Sequence, residues 1–204
     1  MKKIFPPEVI LWLTLALSAF GAPLTYNGYP TGFNDGNVYV GNASGTLSGI
    51  GIEMWCIDPD HHISANAWEV DVVNLGNPGT ALDGLLGLSV NDFRAMFLLG
   101  GMFTDTNQAT DVSIQHTIWS FANPGGFPLT PTETALKNNM LAAVGNYDFS
   151  NAYVLIPQGS HTNWTGQIFE TGRADQVPET ATVWLVLGAF LIIFTWVRSD
   201  KEEK

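Results

Sequence analysis

The chain is poor in cysteine and in charged residues, and both shortages limit what it can be. It has 204 residues and a single cysteine, Cys56, so no disulfide can form within the chain and a disulfide-stapled scaffold is excluded. Charged residues make up only 13% of the sequence, whereas hydrophobic residues make up 46%. Together with 21 glycines, this composition is more typical of exported β-rich domains than of cytosolic helical enzymes.

Basic residues are especially scarce. The formal net charge is -11, and between Ala22 and Gln176 the only basic side chains are Arg94, Lys137 and Arg173. Nucleic acid is not an expected partner, because its phosphates are neutralised by clustered lysine and arginine. An acidic surface also disfavours contact with anionic lipid headgroups. We interpret the excess of carboxylates as a solvated face.

The first residues have the order of parts of a signal peptide. Lys2 and Lys3 precede an apolar stretch at residues 9–20, and small residues then end at Gly21 with the spacing that a signal peptidase reads. The apolar stretch, at about 12 residues, is too short to span a bilayer comfortably. The sequence therefore predicts a signal peptide at residues 1–21; a retained N-terminal anchor is the alternative.

The last residues resemble the PEP-CTERM sorting tail. Val177, Pro178 and Glu179 begin residues 177–204, an apolar run predicted to be a transmembrane helix occupies 183–197, and a polar end with three basic side chains follows. In that family an exosortase-type sorting enzyme cleaves near the motif. The resemblance implies an exported protein that is transiently anchored in the inner membrane and then reaches the cell surface or the extracellular matrix. An uncleaved C-terminal anchor is the alternative, and it places the domain on the same side of the membrane.

Between these ends, residues 22–172 are predicted to form one α+β domain, joined to the tail by a linker at 173–176. Segments that favour β-structure lie before and after a helical middle, at residues 38–40, 50–57, 67–73, 153–156 and 167–169. The middle contains three candidate helices, which we expect to begin at caps formed by Asn91, Asp111 and the capping box of Thr130 and Glu133. The order predicts antiparallel β-structure with a helical insertion of about three helices.

Two separated motifs resemble the thioester domains of bacterial surface proteins. One is Trp55-Cys56-Ile57-Asp58, an aromatic-Cys-apolar-Asp sequence, and the other is Gln115-His116-Thr117-Ile118-Trp119, a Gln-x-x-Ile-Trp sequence that follows a helical stretch. His116 and Thr117 replace the more familiar pair of small residues. The resemblance covers roughly residues 53–121 and implies an internal thioester between Cys56 and Gln115.

The residue types suit this chemistry. A thiolate attacks a carboxamide and still leaves readily afterwards, and glutamine supplies an acyl group that carries no charge. The product would acylate an amine of a surface or matrix protein, or a hydroxyl of a polysaccharide, in a single turnover without a cofactor. This implies covalent adhesion, and not an enzyme. We expect aromatic residues, Trp55 and Trp119 together with Phe121, to exclude water from the bond.

Other residues near the two motifs have supporting or alternative interpretations. Asp58 is expected to orient the following loop by accepting backbone hydrogen bonds, and His116 is a candidate general base. His61 and His62 suggest a metal site, but adjacent histidines point in different directions and no second ligand cluster follows, so we expect no metal. Cys56 acting with a histidine as a hydrolase is one alternative; a buried free thiol in a non-catalytic envelope or biofilm-matrix protein is another.

Overall fold

The computed structural model describes residues 21–29, 33–35, 38–104, 106–159 and 166–172. The predicted signal peptide up to residue 20, and the predicted linker, sorting motif and transmembrane helix, lie outside these residues. Within the described part of the chain, no helix combines the length and hydrophobicity that crossing a membrane requires.

Six strands form a closed antiparallel barrel. Their bounds are β1 Ala22–Gly28, β4 Ala43–Leu47, β5 Ile50–Cys56, β6 Ala67–Asn74, β7 Tyr153–Pro157 and β8 Phe169–Thr171. The order around the barrel is β1-β4-β5-β8-β7-β6, and β6 pairs with β1 to close it. Two short strands, β2 Phe33–Asp35 and β3 Val38–Val40, pair separately. The predicted antiparallel β-structure is therefore confirmed. Its closure into a barrel was not predicted from the sequence.

Alternation along β5 divides the core into two parts. Ile52, Met54 and Cys56 are buried in the cluster that fills the barrel, whereas Trp55 belongs to the cluster beneath the helices. Successive residues of a strand point to opposite faces, so one strand supplies side chains to both clusters. The barrel cluster also includes Leu24 of β1 and Phe169 of β8, the latter directly opposite Cys56.

Three helices lie between β6 and β7, as the sequence predicts. They are α1 Val90–Gly100, α2 Gln108–Ala122 and α3 Pro131–Ala143. The capping box of α3 is confirmed: the Thr130 hydroxyl accepts from the Glu133 amide at 3.3 Å, and the Glu133 carboxylate accepts from the Thr130 amide at 2.8 Å. The described residues therefore have the mixed α+β architecture with a helical insertion.

The predicted caps of the other two helices were wrong. Helix α1 is capped by Ser89, which exchanges hydrogen bonds with Asp92, so Asn91 lies inside the first turn. Helix α2 is capped by Asn107. Asp111 is fully buried within the first turn of α2, and its carboxylate accepts from the Thr104 amide at 2.9 Å. Each observed cap precedes the expected one by two to four residues, because the side chains of Ser89 and Asn107 accept from first-turn amides that have no partner within the helix.

A glycine lets helix α1 approach the barrel. Gly100 is the last residue of α1, and a Cβ atom placed on it would lie 2.0 Å from Cε2 of Trp55. That separation is far below van der Waals contact, and the obstacle is a buried indole that also packs against Phe97 at a ring-centroid distance of 5.5 Å. The absence of a side chain at Gly100 therefore permits the packing of α1 against β5.

We expect Gly100→Ala to lower the free energy of unfolding by about 1–3 kcal/mol, because the added methyl group overpacks this contact. Gly101→Ala is the matched control: Gly101 has helical backbone angles, and its Cβ would lie 3.6 Å from the nearest atom, the Leu98 carbonyl oxygen. Urea denaturation followed by circular dichroism measures both variants. An equal loss in the two variants would contradict this account of Gly100.

Candidate functional site

Cys56 is the last residue of β5 and points into the barrel. Its side chain is fully buried, and its thiol donates a hydrogen bond to the main-chain carbonyl oxygen of Asp58 at 3.3 Å. This contact turns the sulfur toward the start of the loop that follows β5. Cys56 is therefore held in one place by the strand on one side and by the loop on the other.

Gln115 of α2 reaches the same position from the helical layer. It is fully buried, and its side-chain amide nitrogen donates to the main-chain carbonyl oxygen of Cys56 at 2.8 Å. The two residues are 59 positions apart in the sequence. The Gln115 carbonyl oxygen is also buried, and no described residue donates a hydrogen bond to it. The structure thus brings together the two residues that the sequence motifs single out.

The surroundings keep the Cys56 thiol protonated. Burial raises its pKa to about 12, and the negative charge of Asp58 acts in the same direction. The hydrogen bond to the Asp58 main chain and the Trp119 side chain oppose this rise in pKa without overcoming it. At neutral pH the thiolate is a very minor species, so Cys56 is not poised as a free, ionised nucleophile.

Trp119 lies one helical turn after Gln115 and faces the same region. Trp119 and Cys56 line the same cavity, and the Trp119 side chain lowers the pKa of Cys56 as a hydrogen-bond donor would. Within the described residues, however, the indole N–H of Trp119 meets the geometry of no full hydrogen bond. Two buried polar groups of α2, the Trp119 N–H and the Gln115 carbonyl oxygen, are therefore unpaired beside Cys56.

The other predicted supporting residues lie elsewhere. Trp55 is on the opposite face of β5 from Cys56, where its indole N–H donates to Glu170 at 3.1 Å, and Phe121 packs in the cluster under the helices. Neither lines the cavity beside Cys56, because strand alternation and helix rotation direct both away from it, so a shielding role for these two residues stays a prediction without support here. His116 is half-buried and packs against the rings of Trp119 and Phe127. It does not line the cavity beside Cys56.

The loop after Cys56 is fixed by Asp58. One carboxylate oxygen of Asp58 accepts from the Asp60 amide at 3.2 Å, which is the local contact expected from the sequence, and the other lies 2.6 Å from Nδ1 of His61. The side-chain amide of Gln167 donates to the carbonyl oxygens of Asp58 and His61. Among the described residues no cluster of His, Cys, Asp and Glu side chains could hold a metal ion.

A cavity of about 360 Å³ opens beside Cys56. Aromatic side chains line the cavity from two sides. Tyr26 of β1, Tyr29 just after β1 and Tyr39 of β3 form one side, and Trp119 and Phe127 form the other. The remaining lining residues are Cys56, Pro59, His62, Ile63, Asn66 and Gln167. Burial, followed by the negative charge that Cys56 and Tyr39 would carry, raises the pKa of Tyr26 to about 12. The pKa of Tyr29 is also raised, chiefly by burial. Both phenols are therefore neutral hydrogen-bonding groups.

Glu170 of β8 is a buried acid that the sequence analysis missed. It is fully buried opposite Trp55, and burial raises its pKa well above the ordinary value of 4.5. The hydrogen bond from Trp55 opposes the shift, while the other carboxylate oxygen has no partner among the described residues. Its position in the sequence Ile168-Phe169-Glu170 gave a weak signal, since an acid in an apolar strand usually faces water.

No protein-family model matches the chain, and neither the curated proteins nor the solved structures gave a match.

We expect the free energy of unfolding to fall as pH rises above about 4.5, by about 1.4 kcal/mol per pH unit from Glu170 alone, until pH passes its raised folded-state pKa. The sign follows because the unfolded chain releases this proton before the folded chain does. Glu170→Gln retains an acceptor for Trp55 and should remove this slope, which makes the variant more stable than the natural protein at pH 8.

Urea denaturation at a series of pH values tests the role of Glu170. Glu53→Gln on the neighbouring strand is the control, because Glu53 is exposed and its neutralisation should leave the slope in place. A Glu170→Gln protein with an unchanged pH dependence would rule out Glu170 as its source.

Proposed function

We propose that Cys56 and Gln115 form an internal thioester, through which an exported surface protein attaches covalently to a partner. The observation that carries this proposal is the 2.8 Å hydrogen bond from the Gln115 side-chain amide to the Cys56 main chain, with both residues fully buried. The carboxamide carbon of Gln115, which would react, is bonded directly to the nitrogen that makes this contact. A covalent link needs such proximity, and residues 59 positions apart do not acquire it from local structure.

The reaction balances with the groups of the two side chains alone. The sulfur of Cys56 attacks the carboxamide carbon of Gln115, a carbon–sulfur bond forms, and the bond from that carbon to the side-chain nitrogen breaks. The nitrogen leaves as ammonia and carries the thiol proton with it. Neutral reactants give neutral products, which suits a buried site where an isolated charge is costly.

The same burial preserves the thioester once it has formed. Tyrosine, Trp119 and Phe127 rings surround the approach and restrict the entry of water. The bond then persists until an acceptor enters the cavity, attacks the Gln115 acyl carbon and returns the thiol of Cys56.

Trp119 is the candidate stabiliser of the intermediate. When sulfur adds to the carboxamide, negative charge develops on the Gln115 carbonyl oxygen, which now has no donor among the described residues. The unpaired indole N–H of Trp119 lies one turn away on the same helix, and Trp119 lines the same cavity as Cys56. A preorganised donor of this kind stabilises developing charge without reorganising at the moment of reaction.

The sorting signals of the sequence fit this use. The signal peptide would direct export, and an exosortase-type enzyme would recognise Val177, Pro178 and Glu179. Display at the cell surface would then bring the site to its acceptor. The acceptor is an amine or hydroxyl of a matrix component. Because the acyl group of Gln115 stays bound to the acceptor, each molecule reacts once, so the protein acts as a covalent adhesin of the matrix, and not as an enzyme.

Intact mass spectrometry tests the bond. We expect the purified chain to be lighter than its sequence by one ammonia and to gain one methylamine when that amine is added, with tandem spectra assigning the adduct to Gln115. Cys56→Ser and Gln115→Asn should each have the full mass expected for their sequence and should not react, since each removes a partner of the bond.

Gln167 provides an internal control, because it lies in the same cavity and contacts the Asp58 loop but should remain unlabelled. A natural chain with its full sequence mass, whose thiol titrates on unfolding, would contradict the thioester. It would favour the alternative of a non-catalytic matrix protein with a buried free cysteine.

Trp119→Phe tests the stabilising donor, since it keeps a ring and removes the N–H. We expect thioester formation during refolding, followed as the loss of one ammonia in mass, to be slower by roughly 100-fold. Trp68→Phe is the matched control: the Trp68 N–H is also buried and unpaired among the described residues, but it contributes nothing to the pKa of Cys56. Equal rates for Trp119→Phe and the natural chain would exclude this role.

A further inference from the structure

We propose that the cavity beside Cys56 is a binding subsite for a neutral sugar ring, so that the acceptor is a carbohydrate hydroxyl. The covalent part of this inference rests on the proposed thioester, whereas the binding part does not. The cavity, at about 360 Å³, falls within the range of roughly 300–1,000 Å³ that is usual for small-molecule sites.

The walls of the cavity are largely aromatic. The rings of Tyr29 and Tyr39 stack at a centroid distance of 5.5 Å and an interplanar angle of 11°, while Trp119 and Phe127 meet at 5.0 Å on the other side. The C–H face of a sugar ring is apolar, and its edge carries hydroxyls. An aromatic wall therefore covers the face and leaves the edge free for hydrogen bonds.

The polar groups of the cavity suit hydroxyls better than charges. The phenols of Tyr26 and Tyr29 stay protonated, and the side-chain amide of Asn66 supplies donors and an acceptor. The side-chain N–H groups of Gln167 already donate to the Asp58 loop, so Gln167 supplies its carbonyl oxygen as an acceptor. Among the described residues that line the cavity there is no lysine, arginine, aspartate or glutamate. An ammonium or carboxylate ligand would lose its hydration here without meeting an opposite charge, whereas a neutral polyol exchanges hydrogen bonds.

The transfer to a sugar also balances. The sugar hydroxyl oxygen attacks the Gln115 acyl carbon, an ester bond forms, and the carbon–sulfur bond breaks. The hydroxyl proton ends on the Cys56 sulfur, whose burial favours the thiol form.

Binding is tested first in a full chain that carries Cys56→Ala, which cannot form the thioester. Tryptophan fluorescence and ligand-observed NMR would follow titration with glucose, galactose, mannose and N-acetylglucosamine, and with butylamine and glucuronate as charged comparators. We expect at least one neutral sugar to bind with a Kd of roughly 1 mM, and both charged compounds to bind at least about tenfold more weakly.

Two exposed tyrosines give a matched pair of variants. Tyr39 is 53% exposed and lines the cavity, whereas Tyr147 is 60% exposed and lies outside it, so neither replacement by alanine removes a buried side chain. We expect Tyr39→Ala to weaken sugar binding about tenfold and Tyr147→Ala to leave it unchanged, in accord with the loss of one aromatic contact.

The outcomes separate this inference from the thioester itself. Absence of binding by every neutral sugar, tighter binding of butylamine than of any sugar, or equal effects of the two tyrosine variants would each overturn the sugar subsite. A natural chain of full mass whose Cys56→Ala variant still binds sugar would overturn the thioester and retain the subsite. With both correct, the sugar that binds should add once at Gln115 through an ester that hydroxylamine cleaves.

Discussion

The hydrogen bond from Gln115 to the main chain of Cys56 joins the two layers of this protein at the point where chemistry is expected. It connects helix α2 to the last residue of β5, and it satisfies one polar group of a fully buried carboxamide. The carbonyl oxygen of the same side chain and the N–H of Trp119 remain unpaired among the described residues. Burial of a polar group without a hydrogen-bond partner costs about 1–3 kcal/mol of stability. A glutamine that served only to attach the helix would therefore be a destabilising choice at this position.

Strand β5 makes this arrangement possible because its side chains alternate. Cys56 points into the barrel and toward the cavity, while Trp55 points to the helices, where it packs against α1 and donates to Glu170. One strand thus anchors the helical layer with Trp55 and directs the sulfur of Cys56 into the barrel with the next residue. A shift of one residue in the pairing of β5 with β8 would exchange the two faces and bury the wrong side chain.

The parts of this structure that the sequence predicted are those with local signals. The capping box at Thr130 is complete within four residues, so helix α3 was found correctly, and the strand and helix order followed from periodicity. Closure of the barrel depends on the pairing of β1 with β6, which joins distant segments and leaves no local mark. The meeting of Cys56 with Gln115 was expected from a resemblance. The tyrosine wall and buried Glu170 were missed, because tertiary packing decides their burial.

Four ionisable groups in and beside the site share one property, which is that burial favours their neutral form. Burial raises the pKa of the Cys56 thiol, of Tyr26 and Tyr29, and of Glu170 behind the strand. A cysteine hydrolase needs a thiolate and a histidinium ion at every turnover, and creating that pair is costly where charge is poorly solvated. A thioester asks for less, since thiol and amide give thioester and ammonia without net charge. The pKa shifts of these groups therefore favour a thioester that forms once, in preference to a hydrolytic reaction that repeats.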